Sequence, residues 1–114
     1  MSENNPIILK KIIKYCEDIA NMINGVSFDA YIGDIKIQYA CGMCIIQIGE
    51  LISRLSEDFI RENKIVPWRA IRAMRNIYAH DYEKTDHDTV WVTLTEDIPA
   101  LKAQLQQILA DMQN

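Results

Sequence analysis

Residues Pro67 to Tyr82 read PWRAIRAMRNIYAHDY, and the period of their apolar side chains decides the fold class. Pro67 suits a first helical position, where its fixed φ helps and its missing N–H is not needed. At about 100° per residue, Ala70, Ile71, Ala73, Met74, Ile77 and Tyr78 share one arc of a helix. Arg69, Arg72, Arg75, Asn76 and His80 take the opposite arc. The first arc is a core face. The second is a solvent-facing row of cations and amides that ends in an imidazole. A helix divided in this way is stable only when its apolar side is covered by other elements.

The flanking sequence supplies those elements, and they too are helical. Upstream, Asn63 to Val66 form a short linker, and the segment from Ser27 to about Arg61 has no proline. It reads as one long helix capped by Ser27. One of its faces holds Cys41, Cys44, Ile45, Ile48, Ile52, Leu55 and Phe59; another holds Tyr39, Met43 and Ile46. A helix apolar on nearly all sides is buried at the centre of a fold, against another subunit, or both. Here the expectation is a central helix that also contributes to a dimer interface; the alternative is a helix covered entirely by its own neighbours. At the N-terminus, Asn5 as cap and Pro6 as first helical residue open a helix with Ile8, Ile12, Tyr15, Cys16, Ile19 and Ile23 on one side. Gly25 ends it. Downstream of Tyr82, Asp86 or Asp88 caps a last helix whose stripe runs from Val90, Trp91 and Leu94 to Met112, with Pro99 kinking or splitting it. The sum is an all-α, up-and-down bundle of four to five helices, one domain spanning residues 1–114.

Composition agrees. The 114 residues suffice for one core, and 49% apolar with 25% charged is an ordinary soluble balance. The net charge of −4 excludes a chain coated in basic charge. A local basic face survives: Arg61, Lys64, Arg69, Arg72 and Arg75 stand against Glu62 between residues 61 and 80. Cys41 and Cys44 form a Cys-x-x-Cys without a second pair, and with Cys16 the cysteines are odd in number. Four zinc ligands are not in sight, so buried reduced thiols and a cytoplasmic location are expected. No metal or other cofactor is called for. The first residues lack the pattern of a secretory leader. The longest apolar run, Ile37 to Ile48, falls short of the ~20 residues that cross a bilayer, so no membrane contact is expected.

The chemistry concentrates in the opening stretch. Arg75 and His80 are separated by about 140° around a straight helix. They flank a polar groove, with Arg72 and Asn76 between them. Guanidinium groups can hold phosphate oxygens in pairs, and an imidazole with a pKa near ~6.5 passes protons at neutral pH. Attack of a ribose 2′-hydroxyl on its neighbouring phosphorus needs only those two services. On spacing alone, however, a histidine at a helix end is more often a cap, and an arginine row a solvated face.

The segment RNIYAHDY resembles the Arg-x4-His-x-Tyr motif of HepT-like proteins in the HEPN superfamily of small helical ribonucleases. The similarity extends to IIQIGELISRLSEDF, like the family's Ile-Gly-Glu helix, to IVPWRAIRAMRNIYAHDY, like its Pro-Trp entry, and to VWVTLTEDIPALKAQL, like its closing helix. Together these blocks cover roughly residues 5 to 112.

The resemblance implies a HEPN-like homodimer whose two motif helices build one RNA-cleaving cleft without a metal. Arg75 would hold and polarise the scissile phosphate, Asn76 would orient the phosphate or the histidine, and His80 would be the general acid/base. Tyr82 matches the tyrosine that a partner nucleotidyltransferase of MntA type modifies with AMP. That places the chain as toxin in a type VII toxin–antitoxin pair, with the nucleotidyltransferase as antitoxin. Otherwise Tyr82 is an aromatic lid on the helix end. Arg69 and Arg72 are substrate-binding candidates from the wheel alone. The alternative function is a non-catalytic module that binds nucleotide or RNA within a nucleotidyltransferase complex. Glu50 pairs either with Arg54 at i+4 or with a motif-helix arginine across the bundle, and the sequence leaves both open. Trp68 and Trp91 read as core anchors, and His87 as an exposed loop residue.

Overall fold

The computed structural model describes residues 4–80, Lys84 and residues 86–113, and of Ile77, Ala79 and His80 the backbone only. The described residues form seven α-helices and no strand: α1 (Asn5–Ile23), α2 (Phe28–Ile32), α3 (Ile35–Ile52), α4 (Glu57–Glu62), α5 (Trp68–His80), α6 (His87–Val92) and α7 (Ile98–Gln113). A π-helical turn, Thr93–Asp97, joins α6 to α7. The fold is all-α, as the apolar periods require.

The segment expected as one long helix is three. Asp34 breaks it first, its carboxylate accepting from the backbone N–H groups of Lys36 (3.0 Å) and Ile37 (3.2 Å) at the start of α3. Ser56 breaks it again, its hydroxyl accepting from Phe59 N–H at 3.2 Å to cap α4. Capping side chains satisfy donors that a continuing helix would have used, so they end one helix and begin the next without a proline. The buried Gln38 joins the first two pieces by donating to the carbonyls of Tyr31 (2.9 Å) and Ile32 (3.0 Å) at the end of α2. Ser27 and Asp86 cap α2 and α6 as expected, accepting from Ala30 and Asp88 N–H. The last helix splits just ahead of Pro99, where the π-helical turn stands.

Two helix starts shift by a residue. Asn4, not Asn5, is the N-cap of α1, and its side chain makes no capping bond. Asn5 instead donates to Ser56 Oγ at 3.2 Å and accepts from Ser56 N–H at 3.3 Å, tying the start of α1 to the start of α4. Pro67 precedes α5 rather than lying inside it, and its carbonyl accepts from Ile71 N–H at 3.2 Å. Gly25 has φ +75° in a turn closed by Val26 N–H on Ile23 O at 2.9 Å. Only glycine takes that φ without cost.

α3 is the centre. It packs against α1 on one side and α5 on another, while α1 also packs on α7. The α1–α3 pair is antiparallel, since Asn5 meets Ser56 while Lys14 and Asp18 act on Cys44. Ile8, Ile12 and Ile19 of α1, Ile45, Ile48 and Ile52 of α3, and Leu101 and Leu105 of α7 fill the core. Each such side chain contributes about 1.5–3 kcal/mol through burial. By length and composition α3 could cross a bilayer, but half of it is buried inside the bundle, which accounts for its apolar character. Ile35, Tyr39 and Met43 are different. They stand exposed on α3 with Ile46 half-buried beside them. Among the described residues, Ile35 and Met43 stay more than half exposed.

Candidate functional site

Trp68 fixes the beginning of α5. Its indole N–H donates to Asn63 O at 3.0 Å, and its ring lies 6.0 Å from that of Phe59. From there a stripe of side chains, Trp68, Ile71, Arg75 and Tyr78, turns toward the interior at helical spacing. Trp68, Ile71 and Tyr78 are buried, and Arg75 half-buried.

This stripe lies on two glycines of α3. A Cβ at Gly42 would stand 2.6 Å from the Tyr78 ring, and one at Gly49 would stand 2.5 Å from Arg75 Cβ and 2.8 Å from its Cγ. The order, 42 with 78 and 49 with 75, makes α3 and α5 antiparallel. A larger residue at Gly49 would force the helices apart, and one at Gly42 would displace the Tyr78 ring. Arg75 therefore lays its aliphatic stem across the α3 backbone and extends only its guanidinium to the edge.

The guanidinium is held from two sides. One terminal nitrogen donates to Glu50 Oε1 in a close ion pair. The other donates to Asn76 Oδ1 at 2.9 Å. Its Nε is buried without a hydrogen-bond partner among the described residues. Gly49, Glu50, Ser53, Arg72, Arg75 and Asn76 surround a polar recess of about 160 Å³. A second recess of about 390 Å³ adjoins it, sharing Arg72 and Asn76 and adding Ile60, Trp68, Arg69 and Ala73.

Several expectations are corrected here. The wheel put Arg75 among solvent-facing residues, but its stem lies on the buried stripe, because the glycines of α3 leave a slot that a long side chain fills. Ala70 and Ala73, placed on the core arc, are exposed. Alanine takes either environment, so it drew the arc too wide. Glu50 pairs across the bundle with Arg75. Arg69, Arg72 and Asn76 do line the exposed side of α5 as expected. His80 closes α5, but its side chain lies outside the described residues, and so does the whole of Tyr82. Trp91, half-buried, packs on the Tyr31 ring at 4.9 Å. His87 is not in a loop: it opens α6, half-buried, with its ring edge-on to Tyr31 at 6.2 Å.

Cys16, Cys41 and Cys44 are buried free thiols. Burial pushes Cys16 and Cys41 up to about 12 and raises Cys44 as well. All three stay protonated at neutral pH and are neither nucleophiles nor ready metal ligands. Among the described residues no group of three or more His, Cys, Asp or Glu side chains comes together to hold a metal.

The result is a small helical bundle whose central helix presents Gly49 and Glu50 to an arginine of a basic helix. Residues 12–108 match the family described as "Ribonuclease HepT-like". The chain belongs to this family, within the HEPN superfamily. It is 33% identical over 101 residues to a Thermococcus cleftensis protein named "Probable ribonuclease HepT", covering 82% of this chain and 92% of that one. It is 30% identical over 101 residues to a Caldanaerobacter subterraneus protein named "Putative RNase", covering 89% and 90%. A Methanocaldococcus jannaschii protein, again named "Putative RNase", is 29% identical over 105 residues, 92% of this chain and 87% of that one. No solved structure matches the chain.

Proposed function

We propose that the chain is the toxin of a type VII toxin–antitoxin pair, a cytoplasmic homodimeric ribonuclease that cleaves RNA without a metal. The observation that carries this reading is the setting of Arg75. A family arginine is fixed by Glu50 and Asn76 at the lip of a polar recess, with the helix end that bears His80 about a turn and a half farther on.

The reaction is transesterification. The ribose 2′-oxygen bonds to phosphorus, the bond from phosphorus to the 5′-oxygen breaks, and a cyclic phosphate remains on the upstream fragment. One imidazole takes the 2′-hydroxyl proton, and a second, from the other subunit, delivers a proton to the departing 5′-oxygen. Arg75 faces the charge that builds on the phosphate oxygens. With Glu50 and Asn76 already on its terminal nitrogens, it meets phosphate through its remaining N–H groups rather than as a free two-pronged clamp. Arg69 and Arg72 hold flanking phosphates. AMP transferred to Tyr82 by an MntA-type nucleotidyltransferase, the antitoxin, adds negative charge and bulk beside this cleft and keeps RNA out.

The test is cleavage of RNA in EDTA by the wild-type protein, Arg75→Ala and His80→Ala, followed by incubation with the partner and ATP. Wild type cuts, and His80→Ala loses roughly 100-fold or more of the rate. Intact mass then shows an AMP adduct that Tyr82→Phe lacks. RNA binding without cleavage would instead make the chain a non-catalytic module of the nucleotidyltransferase complex. Cleavage with no adduct removes the regulatory half of the proposal.

A further inference from the structure

The larger recess on α5 has a composition unlike a simple phosphate track. Its apolar lining is Ile60, Ala73 and the exposed edge of the otherwise buried Trp68. Its polar lining is the exposed Arg69 and Arg72 together with Asn76, an amide that can donate and accept. At about 390 Å³ it falls within the range of about 300–1,000 Å³ typical of small-molecule sites. It also shares Arg72 and Asn76 with the recess that holds Arg75. A chain whose phosphate sits at Arg75 therefore has its neighbouring nucleoside beside this second recess.

We propose that the recess bounded by Trp68, Arg69, Arg72 and Asn76 is a nucleoside subsite that takes one unpaired base of single-stranded RNA next to the scissile phosphate. The inference rests on the reading of Arg75 as the phosphate-binding residue. Single-stranded RNA is recognised by splayed bases that stack on aromatic faces or on arginine planes and bond through their edges. Trp68 is too deeply seated to give its whole face, so the stacking surfaces are the guanidinium planes of Arg69 and Arg72, which do this and hold phosphate equally well. Ile60 and Ala73 exclude water from the underside of the base. Asn76, whose carbonyl oxygen accepts from Arg75, keeps its NH₂ group for an acceptor on the base edge or ribose. A double helix cannot offer a base in this way, so the enzyme selects unpaired RNA.

Trp68 itself reports occupancy. With Trp91→Phe as background it is the sole tryptophan of the two in the chain, and its fluorescence can be titrated with 5′-UMP, 5′-AMP and ribose 5-phosphate. The nucleotides are expected to bind on the order of tenfold more tightly than ribose 5-phosphate, the usual scale of one stacked base. Arg69→Lys keeps the charge but loses the plane, so it narrows this preference while ribose 5-phosphate binding persists. Ala73→Leu fills the recess from an exposed helical position and abolishes the preference. Equal binding of nucleotide and ribose 5-phosphate, no binding of either, or a preference that survives Ala73→Leu overturns the subsite. Cleavage assays separate the two proposals. If the protein binds nucleotides with this preference yet never cuts RNA, the ribonuclease reading fails and the subsite stands. If it cuts an oligonucleotide as fast with an abasic residue at every position, the subsite fails and the ribonuclease reading stands.

Discussion

Arg75 meets two opposed demands with one side chain. Its stem is pressed on Gly49 and its Nε is buried, yet its terminal nitrogens reach the recess between Glu50 and Asn76. The pair with Glu50 is partly solvated, with side-chain exposures of 36% and 41%, so it is worth only about 0–1 kcal/mol to the fold. Its value lies in holding the guanidinium at one orientation. Glu50→Ala is therefore expected to leave the unfolding midpoint nearly unchanged while lowering kcat for RNA on the order of tenfold, the scale of one charge-assisted hydrogen bond. KM falls or stays level, because a carboxylate that repels phosphate has gone. Glu50→Gln keeps an acceptor and recovers much of kcat. Equal kcat in all three proteins would show that Glu50 does not position Arg75. The sequence offered this partner without choosing it. Local rules see only neighbours on the same helix, which favour Arg54, whereas Arg75 is brought to Glu50 by the packing of two helices. Tyr78 and Ile71 were legible as core; Arg75 was not, because a cation on the buried stripe is visible only once the facing glycines are known.

The α3–α5 contact depends on how closely two helices approach, and a substitution at Gly49 gives that closeness a sign. Alanine in a helix is intrinsically about 1 kcal/mol better than glycine. Here the added methyl would stand 2.5 Å from Arg75 Cβ, an atom that no rotamer change can move. Overpacking of this kind costs typically 1–3 kcal/mol, so Gly49→Ala should be net destabilising by roughly 1 kcal/mol in chemical denaturation and should displace the Arg75 guanidinium. Gly42→Ala meets the edge of the Tyr78 ring, which can shift, and its loss is smaller. A gain in stability from Gly49→Ala would mean the helices are not in contact there. Much at this scale could be read beforehand. Ser27 and Asp86 announced their helices, Gly25 its turn, and Pro99 a break in the last helix. The division at Asp34 and Ser56 was missed since both lie in a segment whose apolar pattern runs on in phase, and caps act through local bonds that periodicity does not register.

For the whole molecule the surface to account for is the exposed apolar row of α3. Ile35, Tyr39 and Met43 are 57%, 59% and 58% exposed, and with Ile46 they run in one line toward Glu50, the partner of Arg75. The apolar excess of this helix was evident in the sequence, including the membership of its second face; that Ile35 and Met43 stay more than half exposed was not, because the sequence does not say where α1 and α5 will lie. A row of this kind, ending at the candidate site, supports the proposed homodimer and a cleft built from both chains. Met43→Glu places a charge in the centre of the row, where burial against a second copy would strip its water. In analytical ultracentrifugation the wild-type protein is expected to sediment as a dimer and Met43→Glu as a monomer, with unchanged helical content by circular dichroism. Cleavage should fall with dimer content although Arg75 and His80 are intact, since the proposed reaction takes one His80 imidazole from each chain. A monomer that cuts RNA at the wild-type rate would reduce the site to a single chain and return both proton transfers to one His80.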